Sequence, residues 1–250
     1  MAYIGEINTG PVQDQVSLGM VTGWSSLNKF GASDVISTSY VDIWPNASTL
    51  SYLSSAERMN IVSTSGNDDL GSSGAITMTI FGLDGNYDEI NETVTLDGTT
   101  NVLTTNSYLR VSRLIVRTAG TTGSNEGVIT ATAQTAATVQ AYITIGSNQT
   151  LQTQFTVPNN KYLNISNLEF TIQKGDQAQV RLLARPLGEV FQVKRSYNFY
   201  ELSTDFILTA PLTFAPKTDI TILAIKITGA GNVAMSASYD GFLVDSSLVV

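Results

Sequence analysis

The chain has 250 residues, a formal net charge of −8, and neither histidine nor cysteine. Without imidazole or thiol groups it has no Ser-His-Asp triad, no cysteine nucleophile and no conventional zinc site. The excess of acids disfavours a nucleic-acid partner, because nucleic-acid affinity draws on Lys and Arg displacing counterions from phosphates.

The first ten residues lack a basic region followed by an apolar segment, so we expect no secretory signal. No window approaches the roughly 18 consecutive apolar residues of a membrane-spanning helix. We therefore expect a soluble protein without a membrane partner.

Residues 1–40 differ from the rest of the chain, because their apolar residues are scattered and show little alternation. Aromatic residues in a segment without a strand pattern are typical of an extended arm. We predict an extended N-terminal arm over residues 1–40, packed either on its own domain or on a neighbouring subunit. The candidate interface residues, in the arm and just beyond it, are Tyr3, Ile4, Trp24, Phe30 and Trp44.

Beyond the arm, apolar and polar residues alternate with period two, which predicts half-buried strands. The pattern covers residues 76–80, 139–145, 151–157, 168–172, 180–184, 220–227 and 233–239. Short strands separated by turn residues predict an all-β fold of antiparallel sheets packed as sandwiches or jelly rolls. One or two helical turns at residues 54–59 remain open, since Glu57 follows Ser54 at the spacing of a helix cap.

A run of small and turn-forming residues at 118–127 is either a long loop or a domain boundary. On the second interpretation, the chain has two β-sandwich (jelly-roll-like) domains, which we place at residues 41–120 and 128–250.

Five acids are concentrated in residues 76–100: Asp84, Asp88, Glu89, Glu92 and Asp97. Oxygen ligands at Asp84, Asn86 and Asp88 have the spacing that opens a calcium-binding EF-hand loop, but the positions that need Gly and Glu hold Glu89 and Thr95. An Asp-Gly pair between alternating apolar runs is instead a strong hairpin signal. We therefore predict plain turns here, with an opportunistic Ca²⁺ site as the alternative, and a second acidic turn at residues 67–69.

Five arginines lie beside apolar residues on predicted strands: Arg110, Arg113, Arg117, Arg181 and Arg185. A solvated or salt-bridged strand face is the first interpretation. A subunit interface that pairs these arginines with a neighbour's acids is the second, and a contact with phosphate or nucleic acid is the third.

Several segments are similar to a known family: residues 54–120, residues 125–130, residues 151–158 and VRLLARP at 180–186. They resemble a group of tailed-phage virion proteins frequent in marine bacteriophages, over roughly residues 20–250. The resemblance implies a structural component of the virion, assembled in the host bacterial cytoplasm, on the head or on the tail. The shared residues are the Gly, Asp and Asn of turns, so it implies no catalytic or ligand-binding residue.

We therefore expect a capsid decoration or cement protein, forming homotrimers, that binds the major capsid protein or neighbouring virion subunits through its N-terminal arm. The alternative is a tail-associated adhesin or fibre-base protein whose loops recognise a host surface glycan. A glycan-cleaving enzyme needs only two carboxyl groups, but no pair of acids stands out. We expect no enzyme and no cofactor.

Overall fold

The protein is described by a computed structural model that covers residues 11–173, 176–200, 203–228 and 231–249. Its helical elements are α1 (Val12–Ser17) and a 3₁₀ turn (Ser246–Leu248). The strands are β1 (Trp24–Ile36), β2 (Val41–Asp42), β3 (Glu57–Ser63), β4 (Ala75–Leu83), β5 (Glu89–Thr95), β6 (Val102–Tyr108), β7 (Arg110–Ala119), β8 (Ile129–Ala133), β9 (Val139–Ile143), β10 (Phe155–Thr156), β11 (Lys161–Ile172), β12 (Gln177–Arg185), β13 (Gln192–Phe199), β14 (Thr204–Phe214), β15 (Asp219–Thr228) and β16 (Val233–Asp245).

Strands β3 to β9 form the first sandwich. One sheet has the order β6-β3-β8-β9 and the other β5-β4-β7, and their pairings are antiparallel. Side chains from both sheets form one apolar core, which includes Met59, Ile80, Leu114 and Ile143. Period-two sequences produce this arrangement because successive side chains of a strand point to opposite faces of its sheet.

Strands β1, β2 and β10 to β16 form the second sandwich. One sheet has the order β1-β16-β11-β14, and the other has β10-β15-β12-β13 with β2 joined to β15. A separate apolar core fills this sandwich and includes Ile36, Phe170, Ile222 and Tyr239. The first sandwich is thus inserted between β2 and β10 of the second, and the all-β prediction is confirmed.

The boundary between the sandwiches differs from the predicted one at residues 120–128. Strand β8 pairs with β3 and β9 pairs with β8, so residues 129–143 belong to the first sandwich. Thr118 and Ala119 end β7, and the rest of the 118–127 segment is a loop of that sandwich. The buried carboxylate of Asp68 fixes it by accepting hydrogen bonds from the amides of Glu126 and Gly127, both at 2.8 Å.

The predicted arm over residues 1–40 is corrected where the structure describes it. Residues 1–10 lie outside the described ranges, but residues 24–36 form β1, which pairs with β16 along nearly its whole length. Its strand pattern is hidden in the sequence because the inward positions hold Lys29, Gly31 and Ser33 where large apolar residues normally stand.

The short helix considered at residues 54–59 is not formed. Residues 57–63 are strand β3, in which Met59 and Ile61 are fully buried with period two. Within the described ranges, no helix has the length and apolar character needed to cross a membrane.

Candidate functional site

The acidic segment after β4 forms the predicted hairpin turn between β4 and β5. The carboxylate of Asp84 accepts hydrogen bonds from the backbone amides of Asn86 (2.8 Å) and Asp88 (3.0 Å). Tyr87 has a φ of 68°, a conformation that such side-chain-capped turns accommodate. The carboxylate thus serves backbone geometry. Across the residues that the structure describes, no group of three or more acidic side chains is placed to hold a metal ion.

Glu92, on β5, has a comparable structural role. Its carboxylate accepts hydrogen bonds from the backbone amides of Thr105 (2.9 Å) and Asn106 (2.7 Å) on β6. Since β5 and β6 belong to different sheets, Glu92 links the two layers of the first sandwich.

Asp68 lies in the second acidic turn and is fully buried. Besides the two loop amides described above, its carboxylate accepts hydrogen bonds from the hydroxyl of Ser63 (2.5 Å) and the amide of Ala75 (2.8 Å). Buried carboxylates require such partners to offset lost hydration. Asp68 therefore organises the loops at one end of the first sandwich.

The two sandwiches meet at a buried ion cluster around Asp219 on β15. Arg110, on β7 of the first sandwich, donates to the Asp219 carboxylate from Nε (2.8 Å) and Nη2 (3.1 Å). Arg185, on β12, donates from Nε (3.1 Å) and Nη2 (2.6 Å), and the hydroxyl of Thr156 donates at 2.6 Å. Five donors saturate the lone pairs of one carboxylate, so Asp219 joins the sandwiches and is not free for acid–base chemistry.

The environment of Asp219 determines its protonation. Burial alone would raise the pKa of this carboxyl. The hydrogen bonds and charge of Arg110, with further hydrogen bonds from Thr156 and Arg185, instead hold the pKa below its ordinary value. The Asp219 carboxyl is therefore ionised at neutral pH.

Aromatic rings cover the cluster. The guanidinium carbons of Arg110 and Arg185 lie 4.9 and 4.6 Å from the ring centre of Tyr52, and Arg185 lies 4.5 Å from that of Phe191. Stacking of this kind suits the flat, weakly hydrated guanidinium group. Burial, followed by the charges of Asp42 and Asp219, raises the pKa of Tyr52, so this tyrosine is neutral.

The remaining predicted arginines lie against aromatic rings. The guanidinium of Arg117 is 5.4 Å from the ring centre of Phe81, and that of Arg181 is 4.5 Å from the ring centre of Tyr40. Arg110 and Arg185 form ion pairs within the chain, which agrees with the salt-bridged interpretation for these two arginines.

Trp44 does not lie at a surface. It is 1% exposed, and its indole N–H donates to the carbonyl of Ser48 at 2.7 Å. The side chain is buried within its own chain, so it is not available for the subunit contact that we predicted. Tyr3 and Ile4 lie outside the described residues.

Trp24 and Phe30 are half-buried on β1. The ring centres of Trp24 and Phe242 are 6.0 Å apart, and the guanidinium of Arg113 lies 5.7 Å from the ring centre of Phe30. The two aromatic residues therefore pack within the chain and retain a partial exposure that a neighbouring subunit could cover.

Among the residues that the structure describes, five of the fourteen exposed large apolar side chains lie on or beside β13 and β14, the edge strands of the two sheets of the second sandwich. Stacking of Tyr197 on Phe206, at 4.3 Å between ring centres, holds the two edges together. We call this surface the open side; it is defined by Leu187 (59% exposed), Val190 (75%), Val193 (50%), Tyr200 (59%) and Ile207 (81%). Edge strands also present unpaired backbone groups, which favours pairing with another chain.

No family model matches the chain, and no curated protein matches it. Among solved structures, it shows weak similarity to infectious bursal disease virus of the Gx strain, with a TM-score of 0.26, 9% identity, and coverage of 90% of this chain and 72% of the other. For the Gt strain the TM-score is 0.20, with 10% identity and coverage of 90% and 73%. Similarity at this level does not establish a common fold, so function is inferred below from the chain's own residues.

Proposed function

We propose that this chain is a structural subunit of a virus particle, and more specifically a decoration or cement protein on the head of a tailed phage. It acts as a homotrimer that binds the major capsid protein or neighbouring virion subunits. The observation that carries this proposal is the open side, where five large apolar residues within 21 positions of sequence face solvent. Exposed apolar surfaces of this kind mark protein contacts.

The contact surface proposed here is the open side and not the N-terminal arm. Strand β1 belongs to a sheet of its own chain, and Trp44 is buried, so residues 24–44 do not form a free arm. Ile207 is the most exposed large apolar residue of the open side, at 81%. Burying such a side chain contributes about 1.5–3 kcal/mol, and symmetric assembly repeats each contact in every copy.

The buried junction supports the same role. Arg110 and Asp219 join the two sandwiches through a bidentate ion pair, which favours a single rigid block over two mobile domains. A rigid subunit loses less conformational freedom when it assembles. The carboxylates of Asp68, Asp84 and Asp219 are occupied by donors of the chain itself, which supports a non-enzymatic function, as does the resemblance of residues 54–120 to phage virion proteins.

The experiment compares Ile207→Asp with a control, Leu70→Asp. Leu70 is 71% exposed and lies in the loop between β3 and β4 of the first sandwich. Each variant adds one negative charge at an exposed apolar position, so their melting temperatures should remain within about 2 °C of the wild type. The measurements are sedimentation velocity and co-sedimentation with phage particles that lack the protein.

We expect Ile207→Asp to lose the trimer and to reduce particle occupancy at least tenfold, whereas Leu70→Asp behaves as the wild type. A tenfold loss corresponds to about 1.4 kcal/mol, which is less than the contribution expected from one buried isoleucine. The proposal fails if Ile207→Asp assembles normally. Depletion of the wild-type protein by host cells, and not by particles, would favour the tail-associated adhesin.

A further inference from the structure

A cleft between the two sandwiches brings two cations together. Its volume is about 330 Å³, and its walls come from β1 of the second sandwich and from β7 of the first. Lys29 contributes the first cation; it is only 3% exposed, and its ammonium group donates a hydrogen bond to the carbonyl of Ser112. Arg113 contributes the second and donates from Nη2 to the carbonyl of Asn28 at 2.9 Å.

Neither cation has an acidic partner in the part of the chain that the structure describes. The ion pairs found there, with a limit of 4.0 Å, join other residues. Glu89 also lines the cleft, but it is exposed and makes no ion pair with Lys29 or Arg113 there. An ammonium group has three N–H donors and a guanidinium has five, so both retain donors for a ligand.

We propose that this cleft is an oxyanion-binding site, in which Lys29 and Arg113 hold a carboxylate or an inorganic phosphate between the two sandwiches. Guanidinium groups match two-oxygen anions with paired N–H donors, and an adjacent ammonium adds a compact charge. The volume is far above the roughly 10–15 Å³ of cavity space that one water molecule needs, so an anion of this size fits. Carboxylate and phosphate can each offer a pair of oxygens to these donors.

The pKa values of Lys29 and Arg113 are consistent with an anion site. Burial, and then the charge of Arg113, lowers the pKa of Lys29 well below its ordinary value. Burial also lowers the pKa of Arg113. A nearby negative charge favours the charged form of each group, so a bound oxyanion would relieve both penalties. Because Lys29 and Arg113 belong to different sandwiches, the anion would also strengthen the junction.

The first test uses inorganic phosphate as the probe and compares it with chloride at equal ionic strength. We expect phosphate to raise the melting temperature of the wild type by roughly 3–10 °C, the shift for an anion at ten to a hundred times its Kd. Lys29→Met keeps the length of the side chain without its charge, and we expect it to lose this shift. Lys194→Met is the control, since Lys194 lies on edge strand β13 away from the cleft.

Absence of a phosphate-specific shift in the wild type would overturn the proposal, and so would a full shift in Lys29→Met. If Lys29→Met does not fold, the test is lysine acylation of the wild type in phosphate and in chloride. Peptide mapping then measures the extent of labelling at Lys29 and at Lys194. Protection of Lys29 by phosphate, with Lys194 unaffected, supports the site. Equal labelling of Lys29 in phosphate and chloride contradicts it.

Two further measurements distinguish the sources of the anion. A second copy of the chain offers surface carboxylates from its 21 Asp and Glu residues. Self-association that phosphate or acetate reverses, and that Lys29→Met weakens, identifies a carboxylate of the second copy. If the protein binds phosphate and its oligomeric state does not change, the ligand is free phosphate. Either result supports an oxyanion site, and the absence of both contradicts it.

Discussion

Replacement of Asp219 by asparagine should strongly destabilise the protein. The substitution keeps the shape of the side chain but removes its negative charge. In the wild type, the Asp219 carboxylate accepts five hydrogen bonds. The introduced amide would also direct N–H groups towards two guanidinium groups. Arg185 keeps 28% side-chain exposure and can turn towards water, whereas the side chain of Arg110 keeps only 9%. One buried, unpaired cation therefore remains.

Removing one partner of a buried ion pair typically costs about 3–5 kcal/mol of unfolding free energy. In Asp219→Asn, Arg110 keeps its hydrogen bonds to the carbonyls of Leu53 (2.9 Å) and Leu109 (2.8 Å), which favours the lower half of that range. For a chain of this length, a loss of about 3–4 kcal/mol corresponds to a decrease of roughly 6–16 °C in melting temperature.

The assay is urea unfolding followed by far-UV circular dichroism and by tryptophan fluorescence. Both tryptophans, Trp24 and Trp44, lie on or directly after strands of the second sandwich, so fluorescence reports that sandwich. The control is Asp245→Asn, which breaks the more exposed ion pair of Asp245 with Lys161 at 2.6 Å and should cost less than about 1 kcal/mol. If the two variants lose equal stability, the junction is not held by Asp219.

The remaining predictions concern acid, packing and calcium. Because the folded pKa of Asp219 lies below its ordinary value, its stabilising effect is complete above about pH 4 and is lost as the pH falls through the folded pKa; the difference in unfolding free energy between wild type and Asp219→Asn should shrink below about pH 4. Gly31→Ala should cost roughly 1–3 kcal/mol, because an added Cβ would lie 2.3 Å from the carbonyl oxygen of Ile43. Gly66→Ala meets nothing within 4 Å and should cost less than about 0.5 kcal/mol in the same denaturant titration. Millimolar Ca²⁺ should leave the melting temperature within about 1 °C, since the Asp84 carboxylate already accepts two backbone hydrogen bonds.

Each of these predictions has a result that contradicts it. A difference between wild type and Asp219→Asn that grows on acidification would mean that the carboxyl is protonated, not paired. Equal stability of the two glycine variants would show that β1 moves easily away from Ile43. A rise above about 5 °C with Ca²⁺, equivalent to about 1–2 kcal/mol of linked binding, would establish a metal site at Asp84.

The hairpin at residues 84–88 was predictable from sequence because its signal is local: the Asp-Gly pair and the alternating residues on either side lie within one short window. Strands β4, β9, β11, β12, β15 and β16 were found for the same reason. Strand β1 was missed because Lys29, Gly31 and Ser33 occupy its inward positions, and each has a reason that only the fold reveals. Gly31 leaves room for the Ile43 carbonyl, and Lys29 faces the cleft.

The junction could not be predicted, because Arg110 and Asp219 are 109 residues apart in sequence. No local pattern distinguishes this arginine from Arg117, which packs on an aromatic ring. The domain boundary was misplaced for a related reason: the small residues of the 118–127 loop look like a linker, and the buried Asp68 that fixes this loop is about 58 residues upstream of it.

A density map of the intact particle tests the central claim most directly, namely that this chain works as a structural subunit through its open side. The account predicts repeated copies of the two-sandwich unit on the head, with Val193 and Ile207 covered by another subunit. A map in which the protein is present but the open side faces solvent in every copy would contradict it, as would the absence of the protein from purified particles.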